Sequence, residues 1–204
     1  MAHGPSRFGG VCGVRGFDRV AKGMTADEVK RYINQVAFSS AEEFVKKFKT
    51  KTEAERNAII GHFGLGFYSS FMVADKVTVL TRRAGSDQDA VRWVSSGTGR
   101  YTIEDAEKDG HGTAVTLHLR DDMKSFLDEW QIRSTVTAYS DYIAYPIVMD
   151  VVRKEPAKEG EEATETVETE TLNSMKAIWR RTPKEVEAKD YNEFYTHISH
   201  DHAE

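Results

Sequence analysis

Gly61, Gly64 and Gly66 stand at G-x-x-G-x-G spacing directly ahead of Phe67-Tyr68-Ser69-Ser70-Phe71-Met72-Val73. Glycine lets a main chain come close to a ligand and take positive φ, and the first amides of a helix are unpaired donors with partial positive charge. A glycine turn feeding a buried apolar helix is therefore a ready site for phosphate. The spacing is not the G-x-G-x-x-G of a dinucleotide fold and no G-K-[ST] follows, so neither a Rossmann site nor a Walker-type loop is indicated. A tight turn before a core helix has the same composition without any ligand, so the glycines carry chemistry only in company. Two other clusters are weaker. Lys46, Lys47, Lys49 and Lys51 read as a solvated helical face. His197, His200 and His202 have no acidic or cysteine partner at fixed spacing, so no metal site is expected.

The elements that must position the turn come from periodicity. Thr25-Ala26-Asp27-Glu28 is a capping box, and Ala26, Val29, Ile33 and Val36 follow at helical spacing, which predicts an amphipathic helix of about three turns. Ser40-Ala41-Glu42-Glu43 predicts a second, shorter helix through Phe48, and Thr52 to Ile59 a third that ends at the glycines. These short helices form a unit able to move as a flap. From Lys76 the period becomes two: Val77 and Val79, Val91 and Trp93, Tyr101 and Ile103, then Val115, Leu117 and Leu119. Turn residues separate these runs, which predicts an antiparallel meander with one buried face. A helix over Asp122 to Trp130 follows. The next carries Ile132, Val136, Tyr139 and Ile143 on one side and stops at Pro146, and a strand spans Ile147 to Val152.

Both flanks differ in composition. Residues 1–23 mix six glycines with Arg7, Arg15, Arg19 and Lys22, without helical or strand period, and read as a disordered arm. Residues 153–172 are acidic and Thr-rich and read as a linker, after which Trp179 to Tyr195 opens further ordered structure. Over its 204 residues the chain can bury a sizeable core, and its net charge of −5 argues against nucleic acid as a partner. The single cysteine, Cys12, excludes an internal disulfide and fits a reducing compartment. No apolar run reaches bilayer length, so no membrane span is expected and the expected location is cytoplasmic.

Taken together and in order, these features resemble one family. Met24-Thr25 and its helix, Gly61 to Val77, the Trp93/Ser95/Gly97/Tyr101 pattern, Gly112-Thr113 and Trp179 to Tyr195 are similar to the bacterial 90-kDa heat-shock chaperones of the GHKL ATPase superfamily. The resemblance covers about residues 23–202. It implies an α+β fold, a two-layer α/β sandwich of the Bergerat type, incomplete at its N-terminal side. It divides the chain into a partial ATP-binding domain over 24–152, the acidic linker, and the beginning of a middle domain over 173–204. ATP or ADP with Mg²⁺ is the implied cofactor. Gly61, Phe63, Gly64, Leu65, Gly66 and Phe67 are the implied phosphate cradle, Met24 lines the adenine pocket and Thr113 joins the network that reads adenine. Residues from about Val36 to Gly66 are the implied lid. The implied partners are unfolded or partly folded client proteins and a second copy of the chain.

The departures bear on activity. Family members carry an E-x-x-x-N helix ahead of the equivalent of Met24, supplying the water-activating Glu and the Mg²⁺-binding Asn, and a D-x-G-x-G whose Asp bonds the adenine amine. Here Arg19-Val20-Ala21-Lys22-Gly23 stands in the D-x-G-x-G place and keeps only the last glycine, and residues 1–23 contain neither Glu nor Asn. The expectation is weak nucleotide binding, negligible hydrolysis and no catalytic residue in this chain. The competing expectation is a non-catalytic protein-interaction module derived from the same domain.

Overall fold

The computed structural model describes residues 11–15, 22–35, 65–154 and 165–199. They form an α+β structure in two compact units, one ending at Asp128 and the other beginning at Glu129. The second and third predicted helices, most of the implied lid, and Gly61, Phe63 and Gly64 lie outside the described residues.

In the first unit the capping box forms as read. Thr25 Oγ1 accepts from Glu28 N and Glu28 Oε2 accepts from Thr25 N, and the helix so opened, α1, spans Ala26–Tyr32. Its inward residues Val29 and Ile33, one turn apart, are buried. A five-stranded antiparallel sheet comprises β1 (Val11–Arg15), β2 (Ala74–Arg82), β3 (Ala90–Ser95), β4 (Tyr101–Ala106) and β5 (Gly112–Leu119). Its order, β1-β5-β2-β3-β4, corrects the expected meander. Strands β2, β3 and β4 do run as a meander, but β5 returns to the far side of β2 instead of pairing with β4. The reason lies in β4, whose Tyr101, Thr102, Glu104 and Asp105 are exposed and suit an edge, whereas Val115 and Leu117 of β5 pack against the core cluster. That cluster is Val29, Ile33, Ala74, Val77, Val79 and Trp93, so α1 covers the inward face of β2 and β3.

Two further expectations change in this unit. Val11–Arg15 is not part of an unstructured arm: its backbone pairs with β5, Val11 opposite His118 through Arg15 opposite Ala114. An open strand edge offers a row of unpaired donors and acceptors that a weakly patterned segment can still satisfy. The segment after the glycines is not a buried α-helix but a 3-10 helix over Gly66–Met72, with no fully buried residue and Met72 70% exposed. Ser69 and Ser70 turn their hydroxyls onto the carbonyls of Gly66 and Phe67, each at 2.6 Å, a local bond that competes with the α-helical ladder. A second 3-10 helix, Asp121–Leu127, replaces most of the helix expected there.

The second unit contains α2 (Glu129–Ser140), a hairpin of β6 (Val148–Lys154) and β7 (Glu165–Thr171), a 3-10 turn at Ile178–Arg180, and α3 (Ala188–Ser199). Strand β7 lies inside the stretch read as an acidic linker. Its alternation of Glu with β-branched Thr and Val suits a solvated strand, and Thr169 Oγ1 donates to Asp150 Oδ1 across the hairpin at 2.6 Å. Pro146 does not stop α2, which ends six residues earlier at Ser140, and Tyr139 is 86% exposed instead of facing a core. Side chains from the other end of the unit hold the chain beyond α2. Asn173 accepts from Ile147 N and donates to the carbonyls of Ile143 and Tyr145, at 2.7–3.0 Å, while Ser174 bonds Asp141.

Candidate functional site

The site begins at Gly23, which has φ +66° and lies so close to β2 that a Cβ there would sit 1.8 Å from the Arg82 carbonyl oxygen. Only glycine tolerates both conditions. The approach is fastened on either side: Ala84 N donates to Lys22 O at 2.7 Å, and Arg83 Nη1 reaches Glu28 Oε1 at 2.9 Å. It delivers the Met24 amide to Thr81 Oγ1 at 2.8 Å. Thr81 is wholly buried at the end of the inward row Val77, Val79, Thr81 and pairs across the sheet with Thr113 of β5. The two hydroxyls are 2.8 Å apart, and Thr81 Oγ1 also lies 3.3 Å from the Gly112 carbonyl. Met24 and Thr113, both implied by the resemblance, are thus joined through one buried hydroxyl.

Phe67 sits on the same apolar cluster as Met24. Its ring meets Trp93 edge-on at 5.6 Å, Tyr68 at 5.7 Å and Phe71 at 6.3 Å. The Tyr68 hydroxyl donates to the Ile33 carbonyl, and Trp93 Nε1 donates to Asn34 Oδ1 at 2.9 Å. Burial raises the Tyr68 phenol above its ordinary value, so it stays a donor. The first bond ties the 3-10 helix, and the second ties β3, to the C-terminal end of α1. Asn34 Nδ2 is buried there without a partner among the described residues. Leu65 and Gly66 stand exposed at the entry to the 3-10 helix, and no atom of the described residues lies within 4 Å of a Cβ built on Gly66.

Of the eight residues implied by the resemblance, the structure therefore brings Met24, Phe67 and Thr113 to one face of the first unit, with Leu65 and Gly66 at the helix entry. A half-buried hydroxyl, Thr113, and a half-buried methionine, Met24, therefore belong to one connected network. Thr81 was missed by sequence reasoning. The available signal was a threonine where the β2 alternation called for an apolar residue.

The second unit has a different surface. Between α2 and α3 lies an open groove of about 1260 Å³ lined by Trp130, Tyr139, Tyr142, His197 and Ile198 among others. Tyr142 is its hub, with Trp179 at 5.1 Å, His197 at 5.2 Å and Phe194 at 5.6 Å between ring centroids. Burial, with the charge of Asp141 beside it, raises the Tyr142 phenol. Among the described residues no three His, Cys, Asp or Glu side chains are grouped to hold a metal, and no helix is long and apolar enough to cross a membrane.

Comparison with known proteins gives consistent results. Residues 150–204 match the family model described as Hsp90 protein. A curated relative from Geobacter sulfurreducens, named Chaperone protein HtpG, is 52% identical over 187 residues, which cover 88% of this chain. Proteins of the same name from Mycobacterium bovis and Mycolicibacterium gilvum are 50% and 49% identical over 189 residues, covering 87% of the chain in each case. The chain spans 29% of the length of each of these relatives.

Proposed function

The chain belongs to the Hsp90 protein family, and from that premise we propose that it is the nucleotide-binding piece of an ATP-dependent molecular chaperone, built on one side of a Bergerat-type sandwich. The observation that carries this reading is the Met24–Thr81–Thr113 network, which joins the main chain of Met24 to the Thr113 hydroxyl through one buried threonine beside a glycine-fastened turn. In this reading ATP or ADP lies with its base against Met24 and Thr113. Its phosphates face the main chain of Gly61 to Phe67, and Mg²⁺ accompanies it. The bound group supplies the energy of phosphoryl transfer. The residues of this chain bind and orient it. Unfolded client proteins and a second copy of the chain are the partners, and the cytoplasm is the location.

Affinity is low in this reading, because Arg19 stands where the family's adenine-binding Asp would be. Losing one charge-assisted hydrogen bond costs about 1.5–3 kcal/mol, roughly ten- to a hundredfold in affinity. Hydrolysis is slower still, since loss of a general base costs about 10²–10⁴ in rate. Calorimetric titration with Mg-ADP should give no binding tighter than high micromolar, weakened further in Thr113→Val. A submicromolar constant, or one indifferent to Thr113→Val, would refute the reading. The non-catalytic interaction module is favoured by a separate observation, the exposed aromatics Trp130, Tyr139 and Tyr195 of the second unit. It predicts capture of an unfolded protein that is unchanged by nucleotide and lost in Trp130→Ser with Tyr139→Ser.

A further inference from the structure

The groove between α2 and α3 carries charges that are already matched within its own walls. Arg133 is held by Glu129 at 2.7 Å and by Glu170 at 2.6 Å, and Lys189 lies 3.4 Å from Glu193, one turn along α3. Beyond Trp130 the α2 wall offers only the small side chains Ser134, Thr137 and Ala138. An occupant must therefore bring bulk on an uncharged face. The space is about 1260 Å³. A helix of three turns, about 18 Å long and about 10 Å across, fills about 1400 Å³.

The chain itself contains a helix of that length and character. α3 has 12 residues, as α2 does. At about 100° per residue, Lys189, Asn192, Glu193 and Thr196, which line the groove, share one side of α3. Tyr191 and Tyr195 stand on the nearly opposite side, 49% and 57% exposed, with no charged residue in their row. We propose that two copies of the chain dimerise by each laying α3 in the groove of the other. The helices then lie in the order α2, partner's α3, α3, partner's α2 about a twofold axis. Each α3 meets the partner's α3 with its groove side, and its tyrosines fill the space beside the partner's Ser134, Thr137 and Ala138.

The charges fix the direction. A parallel pair would set Lys189 against the partner's Lys189 and Glu193 against the partner's Glu193. An antiparallel pair sets Lys189 against the partner's Glu193, and Glu193 against the partner's Lys189, so the surface is complementary to itself. Covering both sides of each α3 and one side of each α2 removes on the order of 1400 Å² from water, inside the roughly 1200–2000 Å² of specific interfaces. The inference does not rest on the nucleotide reading. It gives the second copy a surface, and it names an occupant for the groove other than an unfolded client.

Sedimentation equilibrium of the whole chain should show a dimer that dissociates on dilution. Tyr195→Asp places a charge in the uncharged row and should weaken the dimer by about a hundredfold. Lys189→Glu and Glu193→Lys each create two like-charged pairs across the axis and should each weaken it by about tenfold at low salt. Mixed in equal amounts, these two variants should form a mixed dimer as tight as the unaltered one, because every pair across the axis is then opposite in sign. Loss of the Lys189–Glu193 bond within α3 cannot account for that recovery, since mixing does not restore it. Should Tyr195→Asp fail to fold, the charge variants, at side chains 79% and 64% exposed, still decide the matter. A chain that stays monomeric at submillimolar concentration, a dimer indifferent to Tyr195→Asp, or a mixture no tighter than its components overturns the inference. None of these outcomes bears on the nucleotide reading, which the calorimetric titration tests separately.

Discussion

The unit that ends at Asp128 and the unit that begins at Glu129 hold together by different means. In the first, Val29, Val77 and Val79 are fully buried and Trp93 nearly so, all in one cluster between α1 and the sheet. In the second, the buried apolar side chains among the described residues are Val151 and Ala177, while Trp130, Tyr139, Trp179, Tyr195 and Ile198 are more than half exposed. Its cohesion comes from Asn173, from the Arg133–Glu170–Arg153 charges and from rings gathered on Tyr142. Burial of apolar area is cumulative and does not depend on pH. Exposed ion pairs and single hydrogen bonds contribute about 1 kcal/mol or less each and respond to salt and pH. The first unit is therefore held by one shared apolar core, and the second by polar bonds around an exposed aromatic surface.

The sharpest way to break this contrast is Trp93→Ala. Removing a buried aromatic should cost about 3–5 kcal/mol. The loss should appear in hydrogen exchange as opening of α1 and β2 while α2 and α3 keep their protection. Equal loss in both units would show that the cores are not independent. Gly23→Ala comes next, at about 3 kcal/mol, because the new Cβ meets the Arg82 carbonyl at 1.8 Å on backbone of φ +66°. The amide resonance of Met24 should shift as its bond to Thr81 is lost, with protection in the second unit unaffected. Asn173→Ala tests the other side of the contrast. It leaves the Ile147 amide and the carbonyls of Ile143 and Tyr145 without this partner, which should cost about 2 kcal/mol, confined to the second unit in urea titration followed by Trp179 fluorescence.

The same contrast explains what could be read in advance. The α1 capping box and the Val77/Val79 and Val91/Trp93 alternations were legible because each is a local pattern in contact with one large core. The return of β5 to β2 was not, since strand order depends on which edge is polar enough to face water, a comparison between strands distant in sequence. Strand β7 was hidden by its composition: a run of Glu and Thr looks like a solvated linker until β6 supplies the partner that makes it a hairpin. The roles of Met24 and Thr113 came from resemblance, and the hydroxyl that connects them, Thr81, was passed over because it reads as one more inward position of a strand, marked only by being a threonine after Val77 and Val79.

The smallest expected effect is also the most specific to the second unit. Glu170 accepts from Arg133 and from Arg153, each at 2.6 Å, and so joins α2 to the β6–β7 hairpin. The Arg133 bond first, then the Arg153 bond, holds its carboxyl below the ordinary glutamate range. A carboxylate whose pKa is lower folded than unfolded contributes stability above its unfolded value, and that contribution is lost as pH falls through the folded one. Protection of the β6–β7 amides should therefore hold near neutrality and decline on acidification below the usual glutamate pKa. Glu170→Gln should weaken protection at neutral pH and remove that part of the acid dependence. Strands β2 and β3 should not respond to Glu170→Gln, because Glu170 bonds only within the second unit. Loss of β2 and β3 protection in Glu170→Gln would mean that the two units unfold together, and the division at Asp128 would then have no energetic content.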